Sequence, residues 1–373
     1  MIKIKILFLI FLVLPAALFA WQSGDDLNIA KLHFLDFTNE LPEDLLSTKT
    51  AVLVAYPSIA KRNPERGDWK SFAERSHAWF KRMGVDAVGY YFQRDFMSGQ
   101  DAAIFFAKEM KGRGVNNIIF LSRESNVASG EYNIIVTPFN GEASVISDGQ
   151  KAYKVEGADL SSVLKIFGNK AYRSKQAKTN FLIPDFPEFF EKADIINGRR
   201  IPSYARDLKV RKLAILKFDS IKTNDENLNA SQSGNAANIR TYNSEVARNN
   251  KKLESVMQSY PLEYTITEPT SNDALYKKGF QYVLLRLNTT GSNVRQLLGY
   301  EIDPTVSDYI TVRNRNGSSS MQSISINSPV HKYYVKHLYT GDVYTGADWD
   351  ADLTWEEALK NFIQNMKDDL KLK

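Results

Sequence analysis

The two halves of this 373-residue chain carry the same order of apolar and polar segments, and short stretches echo between them. "RGVNNIIFL" from Arg113 sits against "KGFQYVLLR" from Lys278, and "NGEASV" from Asn140 against "TGDVYT" from Thr340. "ADLSSVLKIF" from Ala158 sits against "ADLTWEEALKNF" from Ala351, with two extra residues. Three echoes in one order predict a tandem duplication, because a repeated supersecondary unit repeats its local sequence. The alternative is two unrelated α/β domains with ordinary shared patterning. The length suits two domains, each able to bury its own core.

The elements follow from periodicity. Ala51 to Tyr56 reads as a buried strand. "WKSFAERSHAWFKRMG" places Trp69, Phe72, Ala73, Phe80 and Met83 on one helical face, with Gly84 as the cap and His77 on or beside the polar face. "VDAVGYYF" is a strand, "SGQDAAIFFAKEMKGRG" a helix, and "VNNIIFLS" a third strand. "EYNIIVTPFNGEASVIS" reads as a hairpin turning at Asn140-Gly141, and "GADLSSVLKIF" opens a closing helix. The second half gives strand Leu213–Asp219 and a helix from Tyr242 with Val246, Leu253, Val256 and Met257 inward. It continues with strand "LEYTITE", a short helix, strand "FQYVLLRL", hairpin "KYYVKHLYTGDVYTG" and a last helix. The expected class is α/β (α+β): a unit at 45–170 and a similar one at 208–373, each with a mixed sheet, after an N-terminal lead at 21–44.

Between the units, Phe186 to Ile196 is expected as a helix in a linker at 171–207, and Arg199, Arg200, Lys209, Arg211 and Lys212 as solvated linker charges. "TNDENLNASQSGNAANIRT" has almost no large apolar residue and is expected as a mobile loop, and "RNRNGSSSMQS" as a tip joining two strands.

Lys3 and Lys5 precede an apolar run from Ile6 to Ala20. That run is short for a membrane span and right for a signal-peptide core, with cleavage expected after Ala20; an uncleaved anchor is the alternative. The chain has no Cys, so disulfides, thiolate metal sites and a lipid-bearing N-terminal Cys are excluded. An exported chain without Cys fits a bacterial envelope, in the periplasm or at the outer membrane. The net charge of +5 permits peripheral contact with an anionic membrane and does not call for nucleic acid.

Chemistry is sparse. No phosphate loop, GxSxG, HExxH or GxGxxG occurs, and no cofactor is expected. The four His are His33, His77, His331 and His337; the last two share a strand face too far apart for one ion. Six carboxylates fall in the sixteen residues from Asp342 to Glu357. Asp348, Asp350 and Asp352 begin like a calcium loop, but Leu353 and Leu359 stand where Gly and Glu are needed. Thr354 and Glu357 instead read as a capping box, so no metal is expected. Two sites are candidates. "YYFQRDF" lies past the end of a strand, where open α/β sheets place ligands, and offers Tyr91, Arg94 and Asp95 to a polar ligand. Tyr333, Tyr339 and Tyr344 of the C-terminal hairpin are candidates for a partner surface.

The segments "LAILKFD", "LEYTITE", "GFQYVLLRL" and "VKHLYTGDVYTG" resemble the small α/β domain of the TolB amino-terminal region and the curli-secretion lipoproteins. "AVLVAY", "GVNNIIFL" and "NGEASV" extend the likeness to the first unit. The missing lipobox Cys and the tandem arrangement depart from that pattern. The resemblance implies envelope assembly, secretion or regulation through protein partners, and carries no catalytic residues. The expectation is a non-enzymatic envelope accessory or scaffold. The alternative is a ligand-binding or hydrolytic protein with its site in a cleft between the units.

Overall fold

The computed structural model describes residues 32, 35–56, 67–123, 132–222, 233–315 and 318–372. The expected signal peptide, His33 and most of the first polar loop lie outside them.

The first unit is built on a seven-stranded sheet. Its strands are β1 (Asp36–Thr38), β2 (Lys49–Ala55), β3 (Asp86–Phe92), β4 (Val115–Arg123), β5 (Tyr132–Pro138), β6 (Lys151–Gly157) and β7 (Phe189–Phe190), in the order β1-β6-β5-β4-β2-β3-β7. β2 lies parallel to both β3 and β4, while β5 is antiparallel to β4 and to β6. Helix α1 (Trp69–Met83) starts where the Asp68 side chain accepts from the Ser71 amide, and stops at Gly84 with φ 85°. Its buried stripe of Trp69, Phe72, Ala73 and Phe80 packs with the closing helix α4 (Leu160–Arg173) on one face of the sheet, against Val52, Val54 and Leu121. The one-turn α2 (Gln93–Phe96) and the longer α3 (Gln100–Gly112) follow β3.

The second unit has a six-stranded sheet of β8 (Arg200–Ile201), β9 (Leu213–Leu216), β10 (Tyr264–Thr267), β11 (Tyr282–Thr290), β14 (Pro329–His337) and β15 (Val343–Tyr344), ordered β10-β9-β11-β14-β15-β8. β9 is parallel to β10 and β11, and β14 is antiparallel to β11 and β15. Thus β3-β2-β4-β5-β6 and β10-β9-β11-β14-β15 have the same order and sense. Helices α5 (Ser233–Met257) and α8 (Trp355–Leu370) pack on one face of this second sheet. The short α6 (Asn272–Lys277) and α7 (Gly291–Leu297) flank β11 in the chain. A separate hairpin pairs β12 (Asp308–Arg315) with β13 (Ser318–Ser325), so most of the stretch expected as a tip is strand, and 316–317 lie outside the described residues.

The units are not separate bodies. Ala51, Leu53, Phe106 and Phe120 of the first belong to one buried cluster with Val283, Leu285, Leu287 and Tyr334 of the second. The layers therefore run helices, sheet, α3 and shared core, sheet, helices.

Several expectations are corrected. The stretch Phe186 to Ile196 is not helical. Pro187 and the pairing of Phe189–Phe190 with Tyr90–Tyr91 keep it extended, and the same connector adds β8 beside β15. Asn140-Gly141 is not a tight hairpin turn, because β5 ends at Pro138 and its antiparallel partner β6 begins only at Lys151. The lead and the connector both enter the first sheet, through β1 and β7. α5 begins at Ser233, inside the stretch expected as a loop, of which 223–232 lie outside the described residues. His77 is not on a polar face. It is 1% exposed, with Nδ1 2.9 Å from the Tyr90 hydroxyl and Nε2 3.0 Å from the Pro184 carbonyl oxygen.

Candidate functional site

The groove between the units follows from how α3 begins. After α2 the chain runs over Ser98 and Gly99 directly onto β11, where the Asn288 amide donates to the Ser98 carbonyl at 2.7 Å. A Cβ on Gly99 would stand 2.7 Å from the Arg286 carbonyl oxygen and 2.9 Å from Leu287, so glycine allows the approach. Two residues later, in the first turn of α3, Asp101 is 4% exposed. Its carboxylate accepts from Tyr334 (3.0 Å), Lys336 (2.8 Å) and Asn272 (3.2 Å), and Lys336 also donates to the Ile195 carbonyl of the connector (3.4 Å). One buried carboxylate thus ties α3, α6 and β14, and through Lys336 the connector. Burial and the neighbouring Asp101 charge hold the Tyr334 phenol well above its ordinary pKa, so it is a donor at every physiological pH.

Above this floor lies a groove of about 1250 Å³ that is open to solvent. Ile104 and Lys108 of α3 line one wall, and Lys217, Arg286 and Tyr339 of the second unit line the other. Tyr339 is 76% exposed and stacks on Tyr276, itself 48% exposed, with ring centroids 6.0 Å apart and an interplanar angle of 23°.

The residues singled out in the sequence separate. Tyr91 is sealed in the core, stacked on Phe190 at 4.9 Å. Asp95 is buried and accepts from Asn293 of the second unit at 3.3 Å, while Arg94 is exposed. The polar pair therefore divides between the junction and the surface. Tyr333 is also interior, 6.3 Å from the Phe362 ring, Tyr344 is half-buried beside Tyr282, and Tyr339 alone of that trio is open to solvent.

The acidic stretch is largely occupied by its own chain. Asp350, 1% exposed, pairs with Lys332, 0% exposed, and accepts from Tyr204 and Asn365, both at 3.3 Å. Burial pushes the Asp350 carboxyl up against the pull of Lys332. Burial alone would push the Lys332 ammonium down, but Asp350 and Tyr300 outweigh it and hold it above its ordinary value, so the lysine keeps the proton. Asp352 is gripped by Arg313 Nε at 2.7 Å and Asn361 at 3.1 Å. Asp342 accepts from the Arg199 amide (2.8 Å) and guanidinium (3.1 Å), which lower its carboxyl to about 2. Arg199 is thus ion-paired rather than simply solvated, and Arg200 lies over the Tyr300 ring at 4.0 Å. Thr354 caps α8 by accepting from the Glu357 amide at 3.3 Å. Among the described residues no three His, Asp or Glu side chains gather as a metal site.

The Asp101 network was not found by sequence reasoning. Its partner Lys336 stands 235 residues away, and the only local sign is that β14 sets Lys332 and Lys336 among apolar residues.

Comparison with family models, with curated proteins and with solved structures finds no match for this chain.

Proposed function

We propose that this is a non-enzymatic accessory or scaffold protein of the bacterial cell envelope, exported by its N-terminal apolar run and acting through protein partners. The observation that carries the proposal is the groove between the units, open to solvent and lined by the exposed Tyr339, which stacks on Tyr276. Small-molecule sites enclose most of their ligand, whereas this groove is open to solvent. Exposed tyrosines combine a rigid apolar face with a hydrogen-bonding tip, the character enriched at protein interfaces. A segment of a partner chain fits these features. The matching strand order of the two sheets supports descent of the halves from one duplicated unit, and the segments quoted above support the likeness to the TolB and curli-secretion domains.

The test is affinity purification from the native envelope of the unaltered chain and of Tyr276→Ala/Tyr339→Ala. A stoichiometric envelope partner, reduced at least about tenfold by the double change, is the expected result, because truncating an aromatic hot spot costs roughly 2 kcal/mol or more. A partner held equally well by the variant removes the groove from the account.

A second reading has one observation in its favour: charged side chains of both signs and from both units, Lys108, Arg286 and Asp273 among them, line the groove. A polar periplasmic ligand held there would be lost on Arg286→Ala with partner binding unchanged.

A further inference from the structure

The connector between the units carries large apolar side chains that nothing in the described chain covers. Phe181, Leu182 and Phe186 are 82%, 95% and 83% exposed, and Tyr172 at the end of α4 is 79% exposed. Single exposed apolar residues are ordinary, but four within fifteen residues on one strap are not.

The strap is not loose chain. The Thr179 amide donates to the Leu46 carbonyl at 3.1 Å, and Asn180 Nδ2 donates to the Thr48 and Gly84 carbonyls at 3.1 and 3.0 Å. The Pro184 carbonyl meets His77, and Phe189–Phe190 join the sheet. The backbone is thus fixed by polar bonds on either side of Phe181, Leu182 and Phe186, whose side chains project outward.

The charges around it have one sign left over. From Lys165 to Lys192 there are six cations (Lys165, Lys170, Arg173, Lys175, Lys178 and Lys192) and three acids. All three acids are already paired with cations from elsewhere: Asp185 with Lys81, Glu188 with Arg113, and Glu191 with Lys70. Arg173, Lys175 and Lys178 are exposed, and Lys178 lies over the Tyr172 ring at 5.1 Å, which joins the cationic and aromatic parts. Gln176 donates to the Pro42 carbonyl at 2.7 Å, so the turn carrying Glu40 and Glu43 adjoins the strap and offsets part of this charge, while Arg173, Lys175 and Lys178 still outnumber those two acids.

We propose that this strap is a lipid-facing surface, with Phe181, Leu182 and Phe186 entering the headgroup region of an anionic membrane while Arg173, Lys175 and Lys178 hold its lipid phosphates. Aromatic and aliphatic side chains beside basic ones are the composition that binds interfaces, and cationic stems lie along the apolar boundary with their heads at the phosphates. The surface lies apart from the groove, so either can fail without the other.

The absence of Cys makes the test clean, since one introduced thiol is the only one in the 373-residue chain. Leu182→Cys is labelled with a polarity-sensitive fluorophore, and Met321→Cys, on the hairpin and 78% exposed, serves as the control position. Both are titrated with vesicles of phosphatidylcholine mixed with phosphatidylglycerol, and with phosphatidylcholine alone. The expected result is a blue shift at 182 on the anionic vesicles only, weakened by salt, with no change at 321. Arg173→Gln/Lys175→Gln/Lys178→Gln is expected to lower the partition constant by on the order of 100-fold, and Phe181→Ser/Phe186→Ser to abolish the shift. A label at 182 that stays water-like while the chain floats with anionic vesicles overturns the proposal, because another segment then drives binding. A shift at 182 that grows with protein concentration in the absence of lipid also overturns it, in favour of a second copy as the occupant.

Discussion

Lys332 and Asp350 show how much a single residue carries in this molecule. Both are buried and each is the other's counter-charge, so removing one leaves an uncompensated ion in the core. Lys332→Met is expected to cost about 3–5 kcal/mol in denaturant unfolding, and Lys332→Met/Asp350→Leu to recover most of it. Asp342 makes a different prediction. Its carboxyl titrates near 2 in the folded chain against an ordinary 3.8, so the folded state takes up a proton less readily than the unfolded one. The associated stability is present above about pH 4 and is lost as pH falls through about 2. Asp342→Asn should therefore flatten the acid limb of a stability–pH curve between those values; a limb unchanged by the substitution contradicts the assignment. Neither role was legible in the sequence, where the acids from Asp342 to Glu357 look alike. What separates them is which cation the fold delivers: Arg199 from the connector, Lys332 from β14 or Arg313 from β12.

At the scale of elements, legibility followed locality. α1 could be read because its buried stripe and its Gly84 stop lie together between Trp69 and Gly84. α8 was equally plain from Thr354 onward, and Thr354→Ala should cost about 1 kcal/mol by removing one cap hydrogen bond. β6 was missed because "KAYKVEG" alternates only weakly and gains its place by pairing with β5 and β1. The connector was misread as a helix because its aromatics suggest a buried stripe, whereas most of them face solvent or the sheet edge. Elements whose reason is another element cannot be found by periodicity alone. Gly99 is the sharpest example. Nothing marks it in the sequence, yet Gly99→Ala places a methyl against the Arg286 carbonyl. It should cost about 1–3 kcal/mol, read by thermal unfolding, while Gly112→Ala, where the added Cβ meets open space, should be close to neutral.

For the whole molecule, the α/β class with mixed sheets was legible in the sequence, but the core shared between the two sheets was not foreseen. One buried cluster contains both sheets' facing residues, and Asp101 fixes α3 to β14 across it. Unfolding should accordingly be a single cooperative transition, with Asp101→Leu destabilising both halves together; two separated transitions would show that each half stands alone. This fused body carries the groove and the Tyr276–Tyr339 pair on which the proposed partner-binding role rests. Site-specific photocrosslinking from position 339 in intact cells tests that role most directly. A discrete crosslinked envelope protein, lost on Tyr276→Ala, is the predicted result. A chain that is present at its native level and crosslinks to nothing from position 339 would contradict it.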